Sequence, residues 1–311
     1  MHLPLIIVAG PTAVGKTDIS IRLAKKVGGE IISADSMQVY RHMDIGSAKV
    51  TKEEMLGVPH HLIDVLEPTE EFNVVIFQKM AKQALAGIYE RGHIPIIAGG
   101  TGFYIQALVY DIDFMENDSD CGLRTELEQT AAKMGAEHMH QMLQDIDPVA
   151  AEQIHANNVK RVIRAIEFYK MTGKRISEHN ETEKKRKSPY HFFYYVLNTD
   201  REILYNRIEK RVDQMVKEGL IEEVESLANM GCNRNMVSMQ GLGYKEILDY
   251  LEGKCSLEEA IYTLKRDTRH FAKRQITWFK REKNVRWLNL PDFDNDRELI
   301  VKHILAEFYE E

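Results

Sequence analysis

The stretch Leu5-Ile6-Ile7-Val8-Ala9-Gly10-Pro11-Thr12-Ala13-Val14-Gly15-Lys16-Thr17 decides the fold. Five apolar residues run unbroken into glycine, as a strand buried in a parallel sheet does. The next eight match G-x-x-x-x-G-K-S/T. Helical spacing follows at Ile19, Leu23 and Val27 before Gly28-Gly29 stops it. Strand, glycine loop and helix in that order are the context that separates a phosphate loop from a chance match. The glycines let backbone N–H groups curl around phosphate oxygens, and the helix N-terminus adds partial positive charge. Lys16 supplies a point charge to a terminal phosphate, and the Thr17 hydroxyl is the expected ligand for Mg²⁺.

Outward from this stretch the alternation continues. Glu30-Ile31-Ile32-Ser33-Ala34 reads as a second strand, Val74 to Tyr89 as an amphipathic helix, and Ile94-Pro95-Ile96-Ile97-Ala98 as another buried strand. The βαβα order predicts an α/β fold: a P-loop NTPase-like parallel sheet flanked by helices. Strand signals vanish over 113–188. There, helical patterns at 123–134, 136–144, 148–155 and 159–172 predict an all-helical insertion domain that ends in the charged stretch Glu181–Lys187. Tyr190–Leu197 reads as a return to the sheet. Helices over about 201–230 and 256–282, a strand at Val285–Leu288 and a last helix from about 295 complete a core domain of 1–112 and 189–311.

A chain of 311 residues is long enough for two domains. Cys121, Cys232 and Cys255 are odd in number and never in a C-x-x-C pair. That excludes a disulfide framework and the common zinc modules, and predicts a reducing, cytoplasmic setting. No apolar run approaches the ~20 residues needed to cross a bilayer, and the start shows no basic segment or cleavage site of a signal peptide. The net charge is −7, but it is patterned. Ten acids face two bases over 111–147, while ten Lys/Arg outnumber four acids over 158–187, and nine outnumber two over 262–286. Two basic blocks in an acidic chain predict a local polyanion site.

A nucleotide-driven enzyme needs an acid near its phosphate loop. The strand ending in Gly99-Gly100-Thr101-Gly102 offers none, which leaves Asp35, in Ser33-Ala34-Asp35-Ser36-Met37-Gln38, as metal organiser or general base. Ligands bind outside the carboxyl ends of such strands, so Asp35 and Thr101 are expected to face the loop. His60-His61 and His138-x-His140 lack a third ligand at metal spacing and read as cap or surface residues. Met134, Met139 and Met142 read as helix packing.

The motifs G-P-T-A-x-G-K-T, S-A-D-S-M-Q-V-Y-R-x-M-D-I-G-S-A-K, P-H-H-L-I-D, G-G-T-G-F-Y and R-x-x-A-K-R-Q-x-T-W-F follow one another between Gly10 and Phe279, within a match that spans residues 5 to about 288. Together they resemble the bacterial tRNA dimethylallyltransferases, or tRNA isopentenyltransferases. Ser47 stands where that family usually has Thr, and Phe103 where Leu or Met is common. The resemblance implies transfer of a dimethylallyl group from dimethylallyl diphosphate to the exocyclic amine of the adenosine at tRNA position 37. The phosphate loop, Gly10 to Thr17, would hold the leaving diphosphate. Asp35, Thr101 and Arg211 become the catalytic set, with Arg207 as the rival arginine. The resemblance also assigns tRNA contacts to Asp35, Ser36, Met37, Gln38, Thr101, Arg124 and the run Lys160, Arg161, Val162, Ile163 and Arg164. Gln240, Gly241, Lys245, Lys273, Arg274, Gln275 and Thr277 join them. On the last long helix, Thr268, Ala272, Gln275 and Phe279 share the packing face, with Lys273, Arg274 and Thr277 outward. The partner is the anticodon stem-loop, and a monomer is expected. A P-loop kinase acting on a small metabolite, or an RNA-binding module with an idle loop, are the alternatives. Both leave features unused: the kinase idles the basic blocks, the module idles Lys16 and Asp35.

Overall fold

The computed structural model describes residues 3–114 and 121–310. The chain divides into two compact units, Met1–Val109 with Pro189–Glu311, and Tyr110–Ser188.

The first unit is built on six parallel strands: β1 Leu3–Ala9, β2 Gly29–Ala34, β3 His60–His61, β4 Ile94–Gly99, β5 Tyr190–Asn198 and β6 Val285–Asn289, in the order β3-β2-β4-β1-β5-β6. β1 is central, with Val8 opposite Ala98 on one side and Tyr195 on the other. Side chains alternate between faces. Ile6 and Val8 of β1 meet Phe193 and Tyr195 of β5, and are covered by Ile19 and Leu23 of α1 (Lys16–Val27), Ile208 of α9 (Arg201–Glu218) and Ile304 of α13 (Arg297–Glu310). α2 (Val74–Glu90) and α3 (Gly102–Val109) pack at β2 and β4, where Phe77 stacks on Tyr104. Each of these fully buried aliphatic side chains contributes about 1.5–3 kcal/mol.

α1 begins directly at the phosphate loop. Gly15 takes a left-handed φ of 106° as its N-cap, and Gly28 closes it in the same region. At the far end of β2 the buried Glu30 carboxylate is held by Arg91, His61 and His93 at 2.6–2.8 Å, which drives its pKa down to about 2. This ties β3 and the end of α2 to the sheet, and gives His61 a structural partner.

Three expectations need correction. The 201–230 helix is two helices, α9 and α10 (Leu220–Asn229), broken at Gly219 with φ 102°. The insertion's helical patterns stop short: beyond those expected over 123–172, Ile176–Glu183 forms a further helix, α8. Two more helices, α3 and α11 (Tyr244–Leu251), were not anticipated. The remaining long helix, α12, spans Leu257–Phe279 and opens with a capping box, Ser256 to Glu259.

The second unit is helical: α4 Cys121–Met134, α5 Ala136–Ile146, α6 Pro148–Gln153, α7 Val159–Thr172 and α8. Its core gathers Leu127, Met139, Leu143, Val162, Ile163 and Ile166. Met139 and Met142 pack as expected, whereas Met134, the last residue of α4, is exposed. The Cys121 side chain lies outside the described residues.

Candidate active site

A cavity of about 410 Å³ opens at the carboxyl ends of β2, β4 and β1, where the sheet leaves its loops. Its wall includes Lys16 and Thr17 of α1, Asp35 and Gln38 after β2, Gly99 and Gly100 after β4, Arg211 of α9 and Gln275 of α12. Ile31, Val50, Ile63 and Ala98 supply an apolar side.

The loop is tied up by its own lysine. Lys16 Nζ donates to the carbonyls of Gly10 (3.0 Å) and Pro11 (2.8 Å). Burial pushes its pKa down to about 8, with Asp35 opposing that shift and Arg211 adding to it. Asp35 Oδ1 accepts from the amides of Met37 (2.9 Å) and Gln38 (3.4 Å), an Asx turn that fixes the side chain at the strand end. Gln38 is held from both ends: Ser33 Oγ donates to its Oε1, and its Nε2 donates to the Ala48 carbonyl. Thr101 is half-buried directly after the Gly99–Gly100 wall, its amide donating to the Ala34 carbonyl.

Arg211 stands in the wall facing Glu54, and desolvation there lowers its pKa against that carboxylate's pull. Arg207 sits instead beside Arg297, whose guanidinium lies 3.2 Å from where a Cβ on Gly15 would stand. Of the two candidate arginines, the geometry puts Arg211 with Lys16 and Asp35.

The candidate RNA contacts divide. Lys273, Arg274 and Thr277 are exposed on α12 and, with His270, Trp278 and Arg281, line a groove of about 470 Å³. Lys160 and Arg161 are exposed on α7, but Val162 and Ile163 are core residues, so their side chains are not a contact surface. Arg124 and Arg164 both reach the buried Glu167 carboxylate, at 2.6 and 3.1 Å. Gln240 is exposed and bonded to the Arg234 carbonyl; Lys245 pairs with Glu246 and Asp267. Gly241 is buried beneath Met37, whose Sδ would be 2.6 Å from an added Cβ. Gln275 is the clearest correction. It is only 6% exposed and bonds the backbone at Thr12 and Gly100.

Sequence reasoning missed Glu223 of α10. Its carboxylate accepts from the amides of Asp44, Ile45 and Gly46 and from the Tyr244 hydroxyl, all at 2.7–3.0 Å. That bond set anchors the loop that carries Ser47, Ala48 and Val50 into the cavity wall. Lys49 was quoted only as part of a motif. Its ammonium, almost wholly buried, joins Asp44, Asp64 and the Tyr40 carbonyl.

Residues 38–282 match the model of the family described as IPP transferase. This chain belongs to that family. The model described as isopentenyl transferase matches residues 3–67 as well. Among curated relatives of this chain is a protein of Lachnoclostridium phytofermentans named tRNA dimethylallyltransferase. It is 61% identical over 301 residues, covering 97% of this chain and 96% of that one. A solved structure from Bacillus halodurans, described as a full-length tRNA isopentenylpyrophosphate transferase, superposes with a TM-score of 0.74 at 47% identity, covering 99% and 97% of the two chains. A eukaryotic dimethylallyltransferase described as acting on tRNA superposes at 0.80 with 31% identity, over 92% of this chain and 74% of that one.

Proposed function

We propose that the protein transfers a dimethylallyl group from dimethylallyl diphosphate to the exocyclic amine of the adenosine immediately 3′ of a tRNA anticodon. One observation carries the reading: a single cavity brings the phosphate loop, Asp35 and Arg211 together in a chain of the IPP transferase family. The bond from the allylic carbon to the diphosphate oxygen breaks as the bond from that carbon to the adenine nitrogen forms. Asp35 accepts the proton the nitrogen loses, offsetting the weakness of an exocyclic amine as a nucleophile. The loop amides, Lys16, Arg211 and Thr101 stabilise the charge that gathers on the departing diphosphate. Ile31, Val50 and Ile63 give the five-carbon chain an apolar side to lie against.

The oxygen donors in this wall suit Mg²⁺, which takes one or two protein ligands and completes its shell with phosphate oxygens and water. Thr17 would hold it, and the ion would supply further charge to the diphosphate. On the RNA side, Ser36, Met37 and Gln38 would read the acceptor base and its neighbours. Lys160 and Arg161, with Lys273, Arg274 and Thr277, would meet the phosphates of the anticodon stem-loop. A monomer acting in the cytoplasm completes the reading; no described helix is long and apolar enough to cross a membrane.

Purified protein given labelled dimethylallyl diphosphate, labelled ATP and unmodified tRNA tests this. The expected product is one prenylated adenosine beside the anticodon with release of diphosphate. Hydrolysis of labelled ATP without any prenylated tRNA would overturn it.

A further inference from the structure

Helix α12 turns Ala272, Gln275 and Phe279 inward. Of these three, only Gln275 is polar, and its carboxamide bridges two segments remote from it in sequence. Oε1 accepts from the Thr12 amide at 2.9 Å, and Nε2 donates to the Gly100 carbonyl at 3.0 Å. The fit leaves no space: a Cβ on Gly100 would stand 2.2 Å from Nε2, and one on Gly102 would stand 2.1 Å from the Trp278 ring. Two side chains about one turn apart thus key α12 into the turn after β4.

Both bridged segments belong to the cavity. Thr12 is the third residue of the phosphate loop, already closed on itself by Lys16. Gly100 precedes Thr101. A primary carboxamide is the group that such a bridge needs, since it offers an acceptor to an N–H and a donor to a C=O from one planar unit. A carboxylate would offer two acceptors, and a thioether no donor and only a weak acceptor. A satisfied buried polar bridge is also the kind of contact that fixes one geometry.

We propose that Gln275 is a positioning residue for prenyl transfer: its carboxamide sets the separation between the phosphate loop and the turn that carries Thr101. The two sets of donors proposed to take up charge from the departing diphosphate, the loop amides and Thr101, are thereby held at one spacing. This rests on the proposed function, and it replaces the expectation that Gln275 contacts RNA.

The test uses the full chain with Gln275→Met, which conserves volume, and Gln275→Glu. For each, kcat and KM for dimethylallyl diphosphate, tRNA Kd without the diphosphate, and Tm are measured. Gln275→Met should lower Tm modestly, since it strands the Thr12 amide and the Gly100 carbonyl, yet stay folded and bind tRNA within about twofold of wild type. Its kcat should fall by about 10- to 100-fold, as expected when reacting groups are misplaced by a fraction of an ångström. Gln275→Glu should recover activity relative to wild type as pH drops from about 8 to about 6, because a protonated carboxyl regains a donor for the Gly100 carbonyl. Wild-type kcat and KM in Gln275→Met would overturn the proposal, as would tRNA Kd weakening in step with turnover. A wild-type protein that forms no prenylated tRNA would overturn the proposed function itself, and that control separates the two failures.

Discussion

Lys16 and Asp35 show how the cavity assigns different work to two opposite charges. Asp35 uses Oδ1 for the Met37 and Gln38 amides, so Asp35→Asn retains the acceptor that holds its turn and loses only basicity. Turnover is expected to fall ~10²-fold or more with tRNA affinity unchanged. Near wild-type rates in single-turnover assays would remove Asp35 as the base. Lys16 gives a pH signature. Its pKa is pushed down to about 8 from 10.5, so the ammonium is charged below that value and neutral above it. Affinity for dimethylallyl diphosphate should therefore be full below about pH 8. It should decline as pH rises through that value, by up to about tenfold per unit. Lys16→Ala should weaken binding most below about pH 8, flatten the pH profile, slow the step, and leave tRNA affinity alone. Isothermal titration across that range reads both effects, and a flat wild-type profile would put the critical cation elsewhere.

Elements were legible where the sequence carries a local period, and illegible where a contact crosses the chain. β1, the phosphate loop and α1 could be read because five buried residues, a glycine loop and a 3.6-residue spacing lie end to end. α3 had no such signal, since nearly all of Gly102–Val109 is buried and no polar face remains to set a period. α8 failed in the opposite way, with no buried residue at all. The break at Gly219 hid inside one continuous apolar spacing; only its positive φ reveals it. β3 is two residues long and exists through its register with Ile31 and Ile32. In the cavity, Lys16 and Asp35 lie in short motifs and Arg211 came from the family resemblance, whereas the loop amides that Glu223 accepts from lie 177–179 positions away and the two partners of Gln275 lie 263 and 175 away. Glu223 offers a test at this scale. Glu223→Ala would strand three amides of the 44–46 loop and the Tyr244 hydroxyl. A cost of about 1–3 kcal/mol is expected in urea unfolding, together with a raised KM for dimethylallyl diphosphate as Ser47, Ala48 and Val50 lose their anchor. Glu223→Gln, which keeps two acceptor lone pairs but only one oxygen, should fall between. Unchanged stability and KM would show that the loop holds its shape without α10.

Over the whole molecule, charge is separated by task. An acidic chain places cations at the cavity and on the exposed faces of α7 and α12, among others, and the proposed RNA partner would be held by those two faces. Within the insertion unit the three basic residues in the first half of α7, Lys160, Arg161 and Arg164, are not equivalent. Lys160 and Arg161 are exposed and Arg164 is half-buried on Glu167, a partner it shares with Arg124. Val162 and Ile163 between them hold the helix to its core. Changing Lys160 and Arg161 to Ala should therefore spare the fold and remove cations that are free to meet phosphate. Each lost phosphate contact lowers the log–log salt slope of binding by about 0.7–0.9. The double variant should bind tRNA more weakly and flatten that slope by up to about 1.4–1.8. Arg164→Ala should change the slope less, because part of its charge is already spent on Glu167, and should cost stability by leaving that buried carboxylate with one arginine fewer. Turnover at saturating tRNA should survive the double change, since Asp35, Lys16 and Arg211 all belong to the other unit. A slope that stays at the wild-type value would make the exposed face of α7 a solvated surface, and would leave phosphate recognition to Lys273, Arg274 and Thr277 on α12.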